Sequence, residues 1–173
     1  MTELYFLDEN FCLMEGPVED MTSVVWSERY YEPGVFSFHF PLALAKRLSG
    51  AVYVRSGKNS MGEVFCGRIE YLRTDGDGNC EMGGHFLECL LDDRMLSPMT
   101  KSGRISEILR STAGDILADS PVNPGEFDRL DGEESSLTTR WEPLGDWMRS
   151  VLRPFGASCR VTLDGNCRQR CGD

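Results

Sequence analysis

Three phenylalanines that alternate with a serine and a histidine constrain the fold of this chain more than any other feature. Phe36, Phe38 and Phe40 are separated by Ser37 and His39. Successive side chains of a β-strand point to opposite faces of a sheet, so the three rings share one face and His39 lies on the other. Because exposing three rings to water is costly, the sequence predicts a sheet with one buried apolar face.

The rest of the first half of the chain also has strand patterns, separated by turn residues. Apolar runs twice flank a polar cluster, which is typical of a β-hairpin. A short helix is predicted after Pro41, with Leu44 and Leu48 one turn apart and Gly50 at its end. The predicted strands are residues 4–7, 11–14, 23–31, 36–40, 51–55, 61–74 and 79–86.

Helical spacing replaces the strand patterns after residue 86. Ser102 is a candidate N-cap for the first long helix. Residues 120–138 contain prolines, glycines and many acidic residues, and predict a long loop. Residues 159–163 alternate as a last strand, for which the sequence offers no recognisable partner. The predicted helices are residues 86–91, 105–117 and 144–152.

These patterns predict an α+β protein in which mixed, mainly antiparallel and partly barrel-like sheets carry two to four helices. Residues 1–100 are predicted to form a sheet-rich domain, and residues 101–173 a helix-containing second subdomain. Phe65, Ile69 and Tyr71 are expected on one side of the second hairpin. The residues expected in the core include Phe36, Phe38, Phe40, Trp147 and Leu152.

The formal net charge of -10 argues against binding to nucleic acid, because basic residues drive that binding by releasing counterions. The acidic residues are concentrated between residues 115 and 134, where a solvated loop is the ordinary explanation. They are Asp115, Asp119, Glu126, Asp128, Asp131, Glu133 and Glu134, with Arg129 as the single basic residue among them.

The sequence also indicates a reducing compartment. No stretch approaches the roughly 20 apolar residues that span a bilayer, and the N-terminus lacks the basic start and apolar run of a secretory signal. We therefore expect folding in the cytoplasm with reduced cysteines. Their odd number of seven, scattered along the chain, does not resemble a disulfide framework.

Two groups of residues imitate metal sites, but both are incomplete, and no metal is expected. Asp75, Asp77 and Asn79 match the start of a calcium loop, yet Phe86 stands where the bidentate glutamate belongs. A tight hairpin turn uses the same residues for their tolerance of left-handed backbone. Three late cysteines lack the fourth ligand and the paired short spacing that zinc needs. They are Cys159, Cys167 and Cys171.

Motifs for catalysis and phosphate binding are also incomplete. His85 lies four residues before Cys89, which on one helix would join thiol and imidazole, but His85 is expected at the end of a strand. Residues 57–60 echo the end of a phosphate loop without its upstream glycine. Asp92 and Asp93 follow a helix and are expected to be exposed. The residues therefore predict no catalytic, cofactor-binding or metal-binding site, and no cofactor.

Two longer stretches carry a family resemblance. The chain opens with Leu-Tyr-Phe-Leu-Asp at residues 4–8, followed by Val-Trp-Ser-Glu-Arg-Tyr-Tyr-Glu-Pro-Gly-Val-Phe at residues 25–36 and by Pro41. In order and spacing this resembles the siphovirus ReqiPepy-type tail protein family. Residues 84–94 are similar to that family's Gly-Arg-Ser-Leu-Glu stretch closing onto an arginine, although His85 stands where the family has arginine. With the helices at residues 105–117 and 144–152 and the strand before residue 163, the resemblance covers residues 3–163.

The resemblance implies a structural subunit of the baseplate hub at the tip of a phage or prophage tail. In such hubs, sheet-rich domains arranged in a ring, usually threefold, join the tail tube to distal fibre or cell-wall-degrading parts. It implies self-association, contacts with other tail proteins, synthesis in the bacterial cytoplasm, a place in the virion tail and no enzymatic activity. Family members continue with a further strand and domain that residues 166–171 do not match, so we expect a truncated chain.

Two alternatives of other classes remain open. One is the non-catalytic N-terminal part of a tail-associated peptidoglycan hydrolase, or an enzyme of that kind. The other is a stand-alone carbohydrate- or protein-binding module that uses Trp26, Tyr30 and Tyr31 as a stacking surface. Trp26 and Tyr30 share a parity with Val24, which favours the core or an interface over an exposed platform.

Overall fold

Residues 3–58, 64–74, 78–125, 130 and 134–163, with the backbone of residues 169–171, are described by a computed structural model. Contacts divide the chain into two compact units, Met1–Leu87 and Glu88–Asp173, and each is considered by itself. The predicted α+β class is confirmed. Among the described helices, none is long and apolar enough to cross a membrane. The predicted domains, residues 1–100 and 101–173, are units expected to fold independently, and this stays a prediction.

The first unit is built on a seven-stranded sheet in which every neighbouring pair of strands is antiparallel. Its elements are β1 (Leu4–Leu7), β2 (Leu13–Val18), β3 (Ser23–Ser27), β4 (Val35–Pro41), α1 (Leu42–Leu48), β5 (Tyr53–Ser56), β6 (Cys66–Thr74) and β7 (Asn79–Phe86). The strand order is β2-β1-β5-β6-β7-β4-β3. Both predicted hairpins are confirmed, but the strand predicted for residues 23–31 ends at Ser27.

The link between β2 and β3 forces this sheet to curve. The two strands lie at opposite edges of the sheet, yet only residues 19–22 separate Val18 from Ser23. Five residue steps span at most about 18 Å, whereas the outer strands of a flat seven-stranded sheet lie about 29 Å apart. The sheet must therefore curl towards a barrel, as the sequence pattern predicted.

The concave face of the curved sheet holds the core. Phe36, Phe38 and Phe40 are 3%, 0% and 0% exposed, and strands from both edges of the sheet contribute to the same apolar cluster. Helix α1 covers this cluster with Leu44 and Leu48, as its spacing predicted. The predicted row of buried rings is thus confirmed, with His39 exposed on the convex face.

A β-bulge at Glu70 changes which face the end of β6 presents. Ile69 is paired with Gly84 and Tyr71 with the residue before it, so Glu70 has no partner of its own on β7. Ile69 packs against the core, whereas Tyr71 lies on the convex face. The expectation that both share one side is wrong, because one extra residue reverses the alternation. A Cβ on Gly84 would overlap the carbonyl oxygen of Arg68, so the bulge requires glycine opposite it.

The second unit combines two longer helices with short sheets. Its helices are α2 (Cys89–Asp92), α3 (Ile105–Leu117) and α4 (Leu144–Leu152). Its strands are β8 (Met95–Leu96), β9 (Met99–Arg104), β10 (Val122–Pro124), β11 (Glu134–Thr139), β12 (Glu142–Pro143), β13 (Val161–Leu163) and β14 (Gln169–Cys171). The two amphipathic helices are confirmed, and Trp147 and Leu152 are buried as predicted. The helix predicted to begin at residue 86 starts later, because Phe86 belongs to β7.

Three local predictions for this unit are wrong. Ser102 does not cap α3: it lies in β9, where its hydroxyl bonds to Ser136, and Arg104 occupies the cap position. The loop predicted for residues 120–138 contains β10 and most of β11. The last strand, predicted to lack a partner, pairs with β14. Each of these outcomes depends on a contact between distant residues rather than on a local pattern.

Strands β9 and β11 continue into β8 and β12 as one long two-stranded ribbon. Thr139 faces Met99 and Glu142 faces Leu96, so the two pairs of strands share one register. Between the two pairs, the Thr139 hydroxyl donates a hydrogen bond to the carbonyl oxygen of Ser97 at 2.6 Å. This bond bridges the interruption in the backbone ladder and keeps the ribbon continuous.

Replacement of Phe38 by alanine tests the assignment of the two faces of β4. We expect the free energy of unfolding to fall by about 3–5 kcal/mol, the usual cost of removing a phenylalanine ring from a packed core. The control His39→Ala changes the neighbouring, exposed residue and should alter stability by at most about 0.5 kcal/mol. Urea unfolding followed by circular dichroism measures both, and equal losses would contradict the assignment.

Candidate functional site

The residues considered for a cysteine–histidine pair do not share a helix. His85 lies in β7, with its Nδ1 atom 2.7 Å from Oε2 of Glu70, while Cys89 begins α2. The spacing of four residues therefore does not place them on one helix face. His39 stands exposed on the convex face of β4.

The candidate metal and phosphate motifs fall largely outside the described residues. Of the calcium-like motif only Asn79 is described, as the first residue of β7, while Asp75 and Asp77 are not. Cys159 is half-buried, Cys167 lies outside the described residues, and no side chain is described for Cys171. Residues 59 and 60 of the phosphate-loop-like motif are likewise not described. Within the described part of the chain, no group of three or more potential ligands could hold a metal ion.

Asp92, expected to be exposed, takes part in an ion pair. Its Oδ1 atom accepts a hydrogen bond from Nη2 of Arg149 at 2.6 Å, and the same nitrogen lies 2.8 Å from Asp146. Gly145 leaves the room for this contact, because a Cβ there would overlap the Asp92 carboxylate. The expectation of exposure is wrong for Asp92, since its carboxylate links α2 to α4.

A hollow on the convex face of the first sheet brings several ionisable side chains near one another. The register aligns Val25, Ser37 and Tyr71 across strands β3, β4 and β6. The Tyr71 hydroxyl donates to Oε1 of Glu81 at 2.9 Å, and the Arg73 guanidinium lies 4.6 Å from the Tyr71 ring centre. Other residues that line the hollow are Val35, Glu70 and His85. Sequence analysis missed this group because the Glu70 bulge brings it together.

The hollow contains serine, histidine and glutamate side chains, which are the residue types of a hydrolase triad. Glu70 contacts Nδ1 of His85, as an orienting carboxylate would. A nucleophile must in turn be hydrogen-bonded to the imidazole, and among the described contacts Ser37 makes no such bond to His85. The arrangement offers a hydrogen-bonding surface rather than an activated nucleophile.

Trp26 packs into the core instead of forming a stacking platform. Its ring centre lies 5.1–5.7 Å from those of four phenylalanines, Phe36, Phe38, Phe65 and Phe86. This agrees with the expectation drawn from its parity with Val24. Tyr30 does not lie in the core, because it follows the end of β3 and is 59% exposed, so for this residue the interface stays a prediction.

The two edges of the seven-stranded sheet differ in how open they are to further pairing. The register of β2 against β1 shifts twice, and β2 contains Gly16, with a φ of +145°, and Pro17, which has no N–H to donate. Strand β3 pairs with β4 in unbroken register and contains no proline, glycine or charged residue. Within the described part of the chain no strand pairs with the other side of β3, and Val25 on it is 49% exposed.

Two solved structures of tail proteins, one of them from a prophage, share this fold. Prophage tail protein gp18 from Listeria monocytogenes EGD-e matches 98% of this chain with a TM-score of 0.61 and 11% sequence identity. The tail protein from Neisseria meningitidis MC58 matches 99% of this chain with a TM-score of 0.51 and 14% identity. The chain spans about half the length of each, 50% in both cases.

Sequence comparisons give no such match. No protein-family model matches the chain, and no curated protein is similar to it at the sequence level. The likeness to the two structures establishes that the chain has an α+β fold found in prophage tail proteins. Membership of the ReqiPepy-type family stays a prediction from the sequence.

The Tyr71–Glu81 contact predicts a late-ionising phenol. Burial and the hydrogen bond to Glu81 raise the pKa of Tyr71, and a hydrogen bond to Glu3 raises that of Tyr5. A phenol whose pKa is raised by folding stabilises the folded protein. This contribution is fully present below the ordinary pKa of about 10, and it is lost as the pH rises through the pKa of the folded state. We expect Tyr71→Phe to remove one late-ionising phenol in an ultraviolet titration of phenolate absorbance.

Glu81→Gln is the companion variant for this titration. It removes the negative charge while it keeps a side chain of the same shape, so the Tyr71 phenol should ionise at lower pH than in the wild type. An unchanged late phase in both variants would contradict the assigned contact.

Proposed function

We propose that this chain is a structural subunit of a bacteriophage or prophage tail and forms part of the hub at the tail tip, where it joins the tail tube to distal parts. The observation that carries the proposal is the fold, which nearly the whole chain has in common with two tail proteins. Because the chain spans half of each of those proteins, the proposal concerns only the shared part.

The distribution of side chains supports work by surfaces rather than by chemistry. The ionisable groups of the convex hollow satisfy one another, as the Glu70–His85 and Tyr71–Glu81 contacts illustrate. The Asp92–Arg149 pair likewise links two helices of the second unit. A subunit whose task is to hold neighbours needs shape, open strand edges and matching charges, and no enzymatic activity is proposed.

The overall charge suits a subunit near a DNA path. With a net charge of -10 the chain has an excess of acidic residues, whereas an excess of basic residues is needed to hold a phosphate backbone. We propose that the hub lumen to which it contributes is acidic, so that DNA slides without binding. Neutralising the acidic residues between positions 115 and 134 should slow DNA passage, and unchanged passage and assembly would contradict this part of the proposal.

The partners proposed are further copies of this chain, in a ring that is usually threefold, and other tail proteins. The protein would be made in the bacterial cytoplasm and carried in the virion tail. A stand-alone carbohydrate-binding module has less support, because Trp26 of its stacking surface is packed among four phenylalanines. Loss of glycan binding in a folded Trp26→Ala variant would favour that module instead.

Gel filtration with light scattering tests the ring. The chain has a mass of 19.4 kDa, so a closed trimer should have a mass of about 58 kDa, three times that value. We expect this mass, or that of a larger closed ring, across a tenfold range of protein concentration. A strict monomer over the whole range would contradict assembly of the chain by itself.

Electron microscopy tests the position in the tail. Particles from a strain that carries the gene, induced and purified, would be labelled with gold-coupled antibodies against the purified chain. Label confined to one end of the tail supports the tip, whereas label along the tube or none on intact tails contradicts it. A turbidity assay on cell walls accompanies the experiment, because clearing by the purified chain would favour the hydrolase alternative.

A further inference from the structure

We propose that strand β3 is the edge at which a second copy of this chain extends the seven-stranded sheet, and that the copy contributes its strand β11. This proposal rests on the proposed function, because it takes the partner to be another copy of this chain.

An open strand edge is a template for pairing, and proteins usually blunt it with proline, glycine bulges or charge. The edge strand β2 is blunted in this way by Gly16, Pro17 and two register shifts. Strand β3, at the other edge, reads Ser-Val-Val-Trp-Ser and has none of these devices. An edge left unblunted in a folded protein is most simply explained by a partner strand.

The burial of β3 supports the same conclusion. Val24 and Trp26 point towards the core, yet both are only half-buried, because no described strand lies beyond them. Val25 points the other way and is 49% exposed. One more strand would cover both faces of this edge, and would bury apolar surface as well as the free backbone groups.

The second unit offers a strand of matching character. Its ribbon also has two edges, and β9 is blunted by Lys101 and by Gly103, with a φ of +143°. Strand β11 contains neither proline nor glycine, and its only charged residue is Glu134 at its start. Within the described part of one chain, β3 and β11 belong to separate sheets, and each has one strand neighbour.

The two strands match in the faces that they present, and they bring little charge to the contact. Leu137 lies on the half-buried side of β11 and would extend the face of Val24 and Trp26, while Ser136 would lie beside Val25. Two copies that each carry a charge of -10 repel one another over most of their surface. Strand β3 has no charge and β11 has one at its end, so these edges allow close approach.

Pairing of β3 with β11 has a consequence for symmetry. The contact joins two different surfaces, so the first copy keeps a free β11 and the last a free β3, and the chain of copies ends only when a ring closes. Pairing of β3 with β3 would stop at a dimer. One strand pair buries less than the roughly 800 Å² per partner of a stable interface. The pair would therefore fix the alignment of the two copies, and neighbouring surfaces would add the remaining contact area.

Placing a charge on the open edge tests the proposal in the full-length chain. Val25→Lys adds the residue that commonly blunts an edge strand, and we expect the mass to fall to the 19.4 kDa of one chain. The control Leu13→Lys places the same side chain at a residue of β2 that is 59% exposed, and should keep the wild-type mass. Thermal unfolding establishes that both variants are folded.

Three results of this experiment would overturn the proposal. They are a folded Val25→Lys variant with the wild-type mass, equal dissociation by Leu13→Lys, and a wild type that is monomeric over a tenfold range of concentration. If Val25→Lys fails to fold, the cysteine experiment that follows decides instead.

Disulfide trapping identifies the partner strand. In a background with the exposed Cys12 replaced by serine, Val25→Cys is combined with Ser136→Cys or, one register step along, with Thr138→Cys. Oxidation should link copies into multimers in a combined variant, because paired strands bring Cβ atoms within bonding reach. Each single variant should stay unlinked. Linked dimers of Val25→Cys alone, or no linkage in either combination, would overturn pairing with β11.

The outcomes separate this inference from the proposed function. If gold label lies at the tail tip but Val25→Lys keeps the wild-type mass, pairing through β3 is wrong and the hub proposal stands. If Val25→Lys loses the oligomer but no label is found at the tail tip, the hub proposal is wrong and the proposal that β3 is an assembly edge stands.

Discussion

The fold of the first unit depends on burying one row of aromatic rings on the concave side of a curved sheet. Phe36, Phe38 and Phe40 occupy the middle of the cluster to which strands at both edges contribute. The short link of residues 19–22 brings those edges towards each other, so the core can be closed by a single short helix. A flat sheet would place its edges too far apart for the short link to span, and it would leave the rings exposed to water.

With the apolar residues turned inward, the convex face must accommodate the polar ones. The bulge at Glu70 adds Tyr71 to that face, where it meets Glu81, and Glu70 itself meets His85. Proximity of ionisable side chains can suggest an active site, but here each group is satisfied by a neighbour. In the second unit Arg149 contacts Asp146 of its own helix and Asp92 of α2, and the second contact links the two helices. These polar contacts join β6 to β7 in the first unit and α2 to α4 in the second.

What distinguishes this molecule is the unequal treatment of its strand edges. Strand β2 is interrupted and β3 is not, and the ribbon of the second unit repeats the contrast with β9 and β11. In an isolated monomer each open edge carries a risk of uncontrolled association. In an assembling tail subunit the contrast would direct association to one pair of surfaces, which links the fold to the proposed function.

The sequence by itself determined the class of fold, the row of buried rings, both hairpins and the two amphipathic helices. These features follow periods of 2 and 3.6 residues, which can be recognised within a few neighbouring positions. Only the tertiary structure decided that Tyr71 lies opposite Ile69, that Ser102 pairs in a strand instead of capping a helix, and that Asp92 meets Arg149. It also decided which strands are edges. A strand pattern looks the same whether it has one neighbour or two, because pairing is fixed by contacts between residues that lie far apart in the chain.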